Sequence, residues 1–259
     1  MSDDMNSFVS TGSEQPKKKA KNFWALIVIP ALIFALSDVL GERAADAIVS
    51  NSSERHEMSK IEQYIEQSKA YIPGILTSDK YSSQYWDLEF RAEGNWIMAD
   101  EVDRESLSRE TFSSAKNSAA AALEGQDINQ ELKDAFLDSI YAATEMYSLY
   151  VDENSYCLGD ASIAVSQIYG LDEFNEAEYC QLLADSMKEQ YGEVTVSEVT
   201  LAGRNRQVVT FSIKQNDMVL HVKVICMLDG VSACYLRITY VDGYEDVYTS
   251  FLNQISACN

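Results

Sequence analysis

Histidine is almost missing from this chain: only His56 and His221 occur among 259 residues. A zinc site built from several imidazoles is therefore excluded, and any Ser-His-Asp arrangement has to use His221. Gly-x-Ser-x-Gly elbows, Walker loops, Gly-x-Gly-x-x-Gly fingerprints and EF-hand loops are also lacking. Positive charge is scarce, with 20 Lys+Arg against 41 Asp+Glu and a net charge of −21. A surface this acidic repels phosphate backbones, so nucleic acid is not an expected partner. The five cysteines, Cys157, Cys180, Cys226, Cys234 and Cys258, form no Cys-x-x-Cys motif, which argues against a zinc ribbon or a thioredoxin-type site.

The acid excess is unevenly placed. Residues 1–41 hold Asp3, Asp4, Glu14 and Asp38 against Lys17, Lys18, Lys19 and Lys21, so the whole excess belongs to the remainder. Hydrophobic residues make up 46% and aromatic residues 10%, which is incompatible with disorder throughout. The length beyond residue 41 suits one domain, or two at most.

Residues 1–22 are polar and read as a tail that ends in a lysine run. Phe23 to Leu36 is an uninterrupted apolar stretch of 14 residues. At 1.5 Å per residue it spans about 21 Å, and extension to Leu40 brings it nearer the bilayer core thickness. Three readings compete: a buried helix, a signal peptide cleaved near Ser37 after Ala35-Leu36, and an uncleaved signal anchor. The long leader and the extension past Ser37 favour the anchor. Lys17, Lys18, Lys19 and Lys21 then place the N-terminus in the cytoplasm and residues 42–259 outside. Residues 41–79 read as a helical spacer that Pro73-Gly74 closes.

Beyond residue 79 the pattern changes. Trp86-Asp87-Leu88-Glu89-Phe90 alternates like a strand, Glu93-Gly94-Asn95 is a turn, and Trp96-Ile97-Met98 is a second short strand. Helices are expected within 103–138, with a break at Gly125, followed by strands over 144–151 and 161–169. A helix over 176–191 carries a complete start signal. Asn175 can cap it with Glu178 reaching back, Phe174 and Tyr179 stand at staple positions, and Gly192 stops it. Four hairpin-linked strands follow between 194 and 240, then a closing helix over 244–258. On the third and fourth of these strands the even-numbered residues are apolar. Shared facing predicts a three-residue loop or a bulge at Asp229-Gly230, with Cys226 opposite Cys234. In an oxidising compartment those two form a possible disulfide; the alternative is two small buried hydrophobes.

The succession Tyr81, Tyr85-Trp86-Asp87-Leu88-Glu89-Phe90, Gly94-Asn95-Trp96, Gly230, Tyr235 and Ser250-Phe251 resembles the PsbP-like superfamily over residues 80–257. Ala92 departs from the pattern, since relatives often carry Pro before the Trp. The resemblance implies an α+β fold, an αβα sandwich with a largely antiparallel sheet and flanking helices. It also implies an extracytoplasmic habit among bacterial members. It carries over no catalytic residues.

His221 lies on the odd face of its strand and is expected at solvent or under a helix. The acid groups Asp100-Glu101-Asp103, Asp152-Glu153 and Asp172-Glu173-Glu176-Glu178 read as loop faces or helix starts rather than calcium sites. The expected organisation is a tail at 1–22, an anchor at 23–40, a spacer at 41–79 and a domain at 80–259. The expected function is a membrane-anchored extracytoplasmic binding or scaffold protein with a protein or envelope partner, and without catalysis, cofactor or metal. Two alternatives stay open: a carboxylate-dependent envelope hydrolase, and a secreted binding domain released near Ser37.

Overall fold

The computed structural model describes residues 54–125, 128–215 and 218–258. The expected tail, the apolar run at 23–40 and the orienting lysines Lys17, Lys18, Lys19 and Lys21 lie outside the described residues. Among the described residues no helix is long and apolar enough to cross a membrane.

In chain order the elements are helix α1 (Glu54–Ser68), strands β1 (Ile75–Leu76), β2 (Lys80–Ser83), β3 (Leu88–Arg91) and β4 (Trp96–Met98), and helices α2 (Glu101–Ala122) and α3 (Gln130–Ser139). Then come β5 (Ala142–Val151), β6 (Cys157–Gln167), a short 3₁₀ turn, α4 (Glu176–Tyr191), β7 (Val194–Leu201), β8 (Arg204–Gln215), β9 (Met218–Asp229) and β10 (Ser232–Val241). Helix α5 (Asp246–Asn253) and β11 (Ile255–Ser256) close the chain. One sheet has seven strands in the order β4-β5-β6-β10-β9-β8-β7, and a second has four in the order β1-β2-β3-β11. Every pairing is antiparallel.

The large sheet is covered on both faces. Helices α2 and α4 lie on one side. Beneath α4, Tyr179, Cys180, Leu183 and Met187 meet Val209, Phe211, Val222, Val224 and Cys226. On the other side the small sheet and α5 pack down through Tyr81, Leu88, Phe90, Phe251 and Ile255 onto Ile163, Val165, Ile225, Leu236 and Ile238. The Phe90 and Phe251 rings stack at 5.3 Å, and Trp96 meets Phe251 edge-on at 5.6 Å. Full burial of each such side chain contributes about 1.5–3 kcal/mol. The α+β class, the antiparallel sheet and the flanking helices are as expected. The layer opposite α2 and α4, however, is a small sheet with one helix. Its last strand, β11, occupies residues expected to continue the closing helix.

The α4 start matches its sequence signal. Asn175 Oδ1 accepts from the Glu178 N–H at 3.0 Å, and Glu178 Oε2 accepts from the Asn175 N–H at 3.1 Å. The expected β9–β10 register is corrected. Asp229 stands opposite Ser232, so the loop is the two residues Gly230-Val231, with Gly230 at φ 55°. Cys226 therefore faces Tyr235, and Cys234 faces Met227. Cys226 lies on the α4 side and Cys234 on the small-sheet side, so the Cys226–Cys234 bridge does not form. The physical reason is two-sided burial. The even residues of β9 and the even residues of β10 are both apolar, yet they serve different cores.

The stretch read as a spacer is also corrected where it is described. Ile61 and Tyr64 of α1 are 1% and 3% exposed, and they pack against Leu123, Phe136, Ile140 and Val231. The Tyr64 and Phe136 rings lie 4.9 Å apart. Helix α1 is thus part of the folded body, and β1 belongs to the small sheet.

Close approach of strands imposes one glycine. A Cβ on Gly159 of β6 would sit 2.5 Å from the Thr239 carbonyl oxygen and 2.9 Å from Val247 Cγ1. Gly159→Ala is expected to destabilise the protein by about 1–3 kcal/mol in denaturant unfolding. A loss below about 0.5 kcal/mol would show that β10 yields freely there.

Candidate functional site

Three polar constellations stand out, and they differ in their access to solvent. The first starts at a break in the ladder. The β5–β6 register shifts between Thr144 and Met146, which leaves Glu145 as the extra residue of a bulge. Its side chain is buried. Oε1 accepts from Tyr71 Oη at 2.5 Å and Tyr141 Oη at 2.8 Å. Oε2 accepts from Tyr81 Oη at 2.6 Å and from the Gly74 N–H at 3.0 Å. All four donors are neutral. Burial, and then the neighbouring Glu145 charge, push the Tyr71, Tyr81 and Tyr141 hydroxyls well up, so they stay protonated and keep donating. Tyr85 and Trp86 wall the cluster, with the Tyr71 and Tyr85 rings 4.8 Å apart and the Tyr85 and Trp86 rings 5.1 Å apart. Tyr81, one of the residues that carry the resemblance, thus joins Tyr71 in clamping residues 71–81 to the sheet through one carboxylate.

The second constellation lies on the α2 side. Arg237 Nη2 pairs with Asp160 Oδ1 at 2.7 Å, its Nε donates to Ser162 Oγ at 3.2 Å, and its Nη1 donates to Thr239 Oγ1 at 2.8 Å. Burial pushes the Asp160 carboxyl up, while the Arg237 charge and hydrogen bond pull it back. The Arg237 and Asp160 side chains are 4% and 3% exposed, so this pair is sealed from any ligand.

The third reaches the surface. Ser212 and His221 stand opposite each other in β8 and β9, with Ser212 Oγ and His221 Nδ1 3.0 Å apart. His221 Nε2 lies 2.8 Å from Asp242 Oδ1. Glu245 completes a group in which His221, Asp242 and Glu245 donor atoms all lie within 4.8 Å of one another. The Tyr240 ring packs 5.3 Å from the imidazole. Lys223 Nζ sits 4.5 Å from the centre of the Tyr248 ring, and burial lowers its pKa. The Ser-His-Asp order is that of a hydrolase relay. Ser212, however, lies inside a strand, whereas such nucleophiles project from a strained strand-to-helix turn. One imidazole with two carboxylates is a donor set that suits divalent ions of the zinc class.

Sequence reasoning placed His221 on the correct strand face but found neither of its partners. Asp242 and Glu245 come from the loop and helix start after β10, and only the register brings them to β9. The acid clusters behave as turn and helix-start residues. Asp100 caps α2 by accepting from the Asp103 N–H at 3.0 Å, and Asp152 Oδ1 accepts from the Asn154 and Tyr156 N–H groups. A shallow cleft of about 660 Å³ lies along α4, lined by Phe174, Ala177 and Leu182 together with Glu173, Glu178 and Asp185.

No protein-family model matches the chain, and no curated protein matches it. Among solved structures it is similar to LpqN of Mycobacterium tuberculosis, a protein involved in cell envelope biogenesis, at 13% identity and a TM-score of 0.38, over 66% of this chain and 83% of that one. It is also similar to cyanobacterial PsbP of Synechocystis at 10% identity and a TM-score of 0.37, over 73% and 98% of the two chains. A third is the extracellular domain of PknH of Mycobacterium tuberculosis, at 10% identity and a TM-score of 0.21, over 44% and 62%. These are loose likenesses of fold, and nothing about activity or partner is taken from them.

Two predictions test the sealed constellations. Glu145→Ala leaves three tyrosine hydroxyls and an amide without an acceptor; a loss of about 3 kcal/mol or more is expected, with faster hydrogen exchange over residues 69–83. Arg237→Met is expected to cost about 3–5 kcal/mol by leaving Asp160 unpaired, and the added change Asp160→Leu is expected to recover much of it in equilibrium unfolding.

Proposed function

We propose that this chain is a membrane-anchored extracytoplasmic protein of the cell envelope that binds or scaffolds a partner and catalyses no reaction. The observation that carries this reading is the order of charge along the sequence. Lys17 to Lys21 precede the apolar run at 23–40, and an acidic body follows it. Translocation keeps lysine flanks in the cytoplasm, and an acidic domain is repelled by an anionic membrane surface rather than drawn to it.

The interior supports a non-catalytic reading. A carboxylate-dependent hydrolase of this kind needs two buried acidic side chains close together in a cleft, and the neighbouring pair Asp242 and Glu245 is exposed. Glu145 is spent on tyrosine hydroxyls on the small-sheet side, and Asp160 is spent on Arg237 on the α2 side. Both are buried.

The test is protease treatment of intact cells that carry the full chain with tags at both ends, combined with fractionation. The C-terminal tag is expected in the membrane fraction and open to added protease, with the N-terminal tag protected. Protection of the C-terminal part would overturn the placement, and a mature N-terminus near Ser37 would replace the anchor with a released domain. Crosslinking in intact cells followed by recovery of the tagged chain identifies the partner. Turnover of a hydrolase substrate panel, lost on a single acidic substitution, would overturn the non-catalytic reading.

A further inference from the structure

Helix α4 turns one side to the sheet and leaves another uncovered. Tyr179, Cys180, Leu183 and Met187 are buried against the strands, whereas Ala177, Glu178, Gln181 and Asp185 are exposed. The cleft on that outer side is lined from Glu173, the last residue of the 3₁₀ turn Leu171–Glu173, to Asp185. Its 660 Å³ suits a few side chains of a bound segment. Glu178, Leu182 and Asp185 stand at i, i+4 and i+7 of α4, so they share one stripe. The two carboxylates are about 10.5 Å apart along the helix axis, with the leucine between them. Half-buried Phe174 adds a ring to the lining.

The lining carries one sign of charge. Glu173, Glu178 and Asp185 supply three carboxylates, and no lysine or arginine is among the described residues that line the cleft. Lys60 reaches Glu173 at 3.1 Å and Lys188 reaches Asp185 at 2.8 Å. Both pairs are solvent-exposed, and such pairs contribute little, so an incoming cation can replace either lysine. Glu178 and Asp185, two turns apart, cannot close on a single metal ion. They can meet two separate cations on one partner. The cleft is also stiff. The capping box fixes the start of α4, Arg206 of β8 pairs with Glu176 in its first turn, and the Tyr179 and Tyr235 hydroxyls meet at 2.5 Å. A preformed surface of this kind loses little to ordering on binding.

We propose that the α4 cleft is the seat of a cationic amphipathic helix of a partner protein. One apolar side chain of that helix lies against Leu182 and Phe174, and two Lys or Arg residues, one on either side of it and seven positions apart, meet Glu178 and Asp185. The same i, i+4, i+7 spacing on both helices matches two cations to two carboxylates around one apolar contact. Acidic segments, phosphates and anionic lipid are turned away by the same three carboxylates. The inference rests on the binding reading above and names the chemistry of its partner.

The probe is a short fluorescein-labelled helical peptide of Ala, Leu and Lys, with Lys at i and i+7 and Leu at i+3 and i+4. Its anisotropy is read against the full chain in nanodiscs of zwitterionic lipid, with empty nanodiscs subtracted. Saturable binding that weakens as salt rises is expected. The double change Glu178→Gln with Asp185→Asn is expected to weaken it about tenfold. Glutamine at 178 still offers the Asn175 N–H an acceptor, so the helix start is kept. Ala177→Lys, at an exposed position, puts a cation into the cleft and is expected to weaken binding at least as much; melting midpoints check that both variants fold. Absence of saturable binding, equal binding of a peptide with Glu in place of Lys, or wild-type affinity in a folded variant overturns the proposal. Crosslinking in intact cells separates it from the reading it rests on. A partner recovered equally by wild type and by the folded double variant overturns the cleft and leaves the binding reading standing. Probe binding that follows the expected pattern, with no partner recovered by wild type, overturns the binding reading and leaves the chemistry of the cleft standing.

Discussion

The rest of this fold depends on burial of the large sheet on both faces. Strand β10 is buried along nearly its whole length, and its alternate residues serve two separate cores. That constraint removes the usual division into an apolar and a polar face. It also makes the strand pairing insensitive to simple alternation, because either register puts apolar groups into a core. Shape then decides between the registers. Gly159 admits the Thr239 carbonyl, the Gly230-Val231 turn fits two residues, and Tyr235 finds Tyr179.

A sheet closed on both sides leaves few exits for polar groups, and the buried ones are spent on each other. Glu145 is held by neutral donors and Asp160 by a guanidinium. These are two solutions to one cost, since an unpartnered charge in this interior would lose several kcal/mol (about 3–5 by analogy with broken buried pairs). The Glu145 solution binds chain segments far apart in sequence, because Tyr71 and Tyr81 come from around β1 and β2 and Glu145 from β5. The Asp160 solution also joins distant segments, here two strands, β6 and β10, that lie side by side in the sheet. Of the three polar constellations, only the one around His221 meets solvent.

Local signals were legible in the sequence and non-local ones were not. The start of α4 could be read from Asn175, Glu178 and Gly192 because its hydrogen bonds close within four residues. The turn at Asp87, with φ 54°, shortened the expected 86–90 strand, because an aspartate in a left-handed conformation leaves no mark in an alternating pattern. The Glu145 bulge, the β9–β10 register and the meeting of His221 with Asp242 all depend on partners distant in the chain. Helix α1 was legible as a helix, but its docking into the body was not, for a related reason. Its buried stripe is thin, and Tyr64 looked ordinary until Phe136 of α3 lay against it.

The docking of α1 bears on how the body is carried. A free spacer would have acted as a stalk, letting the body range widely over the membrane. With α1 folded in, the leash between the proposed anchor at 23–40 and the first described helix shrinks to residues 41–53. Even drawn out at about 3.3–3.6 Å per residue, such a leash reaches only some 45 Å. Under the proposed anchoring, that reach sets how far the body can stand from the lipid. The net charge of −21, all of it carried beyond residue 41, is one that an anionic lipid surface repels.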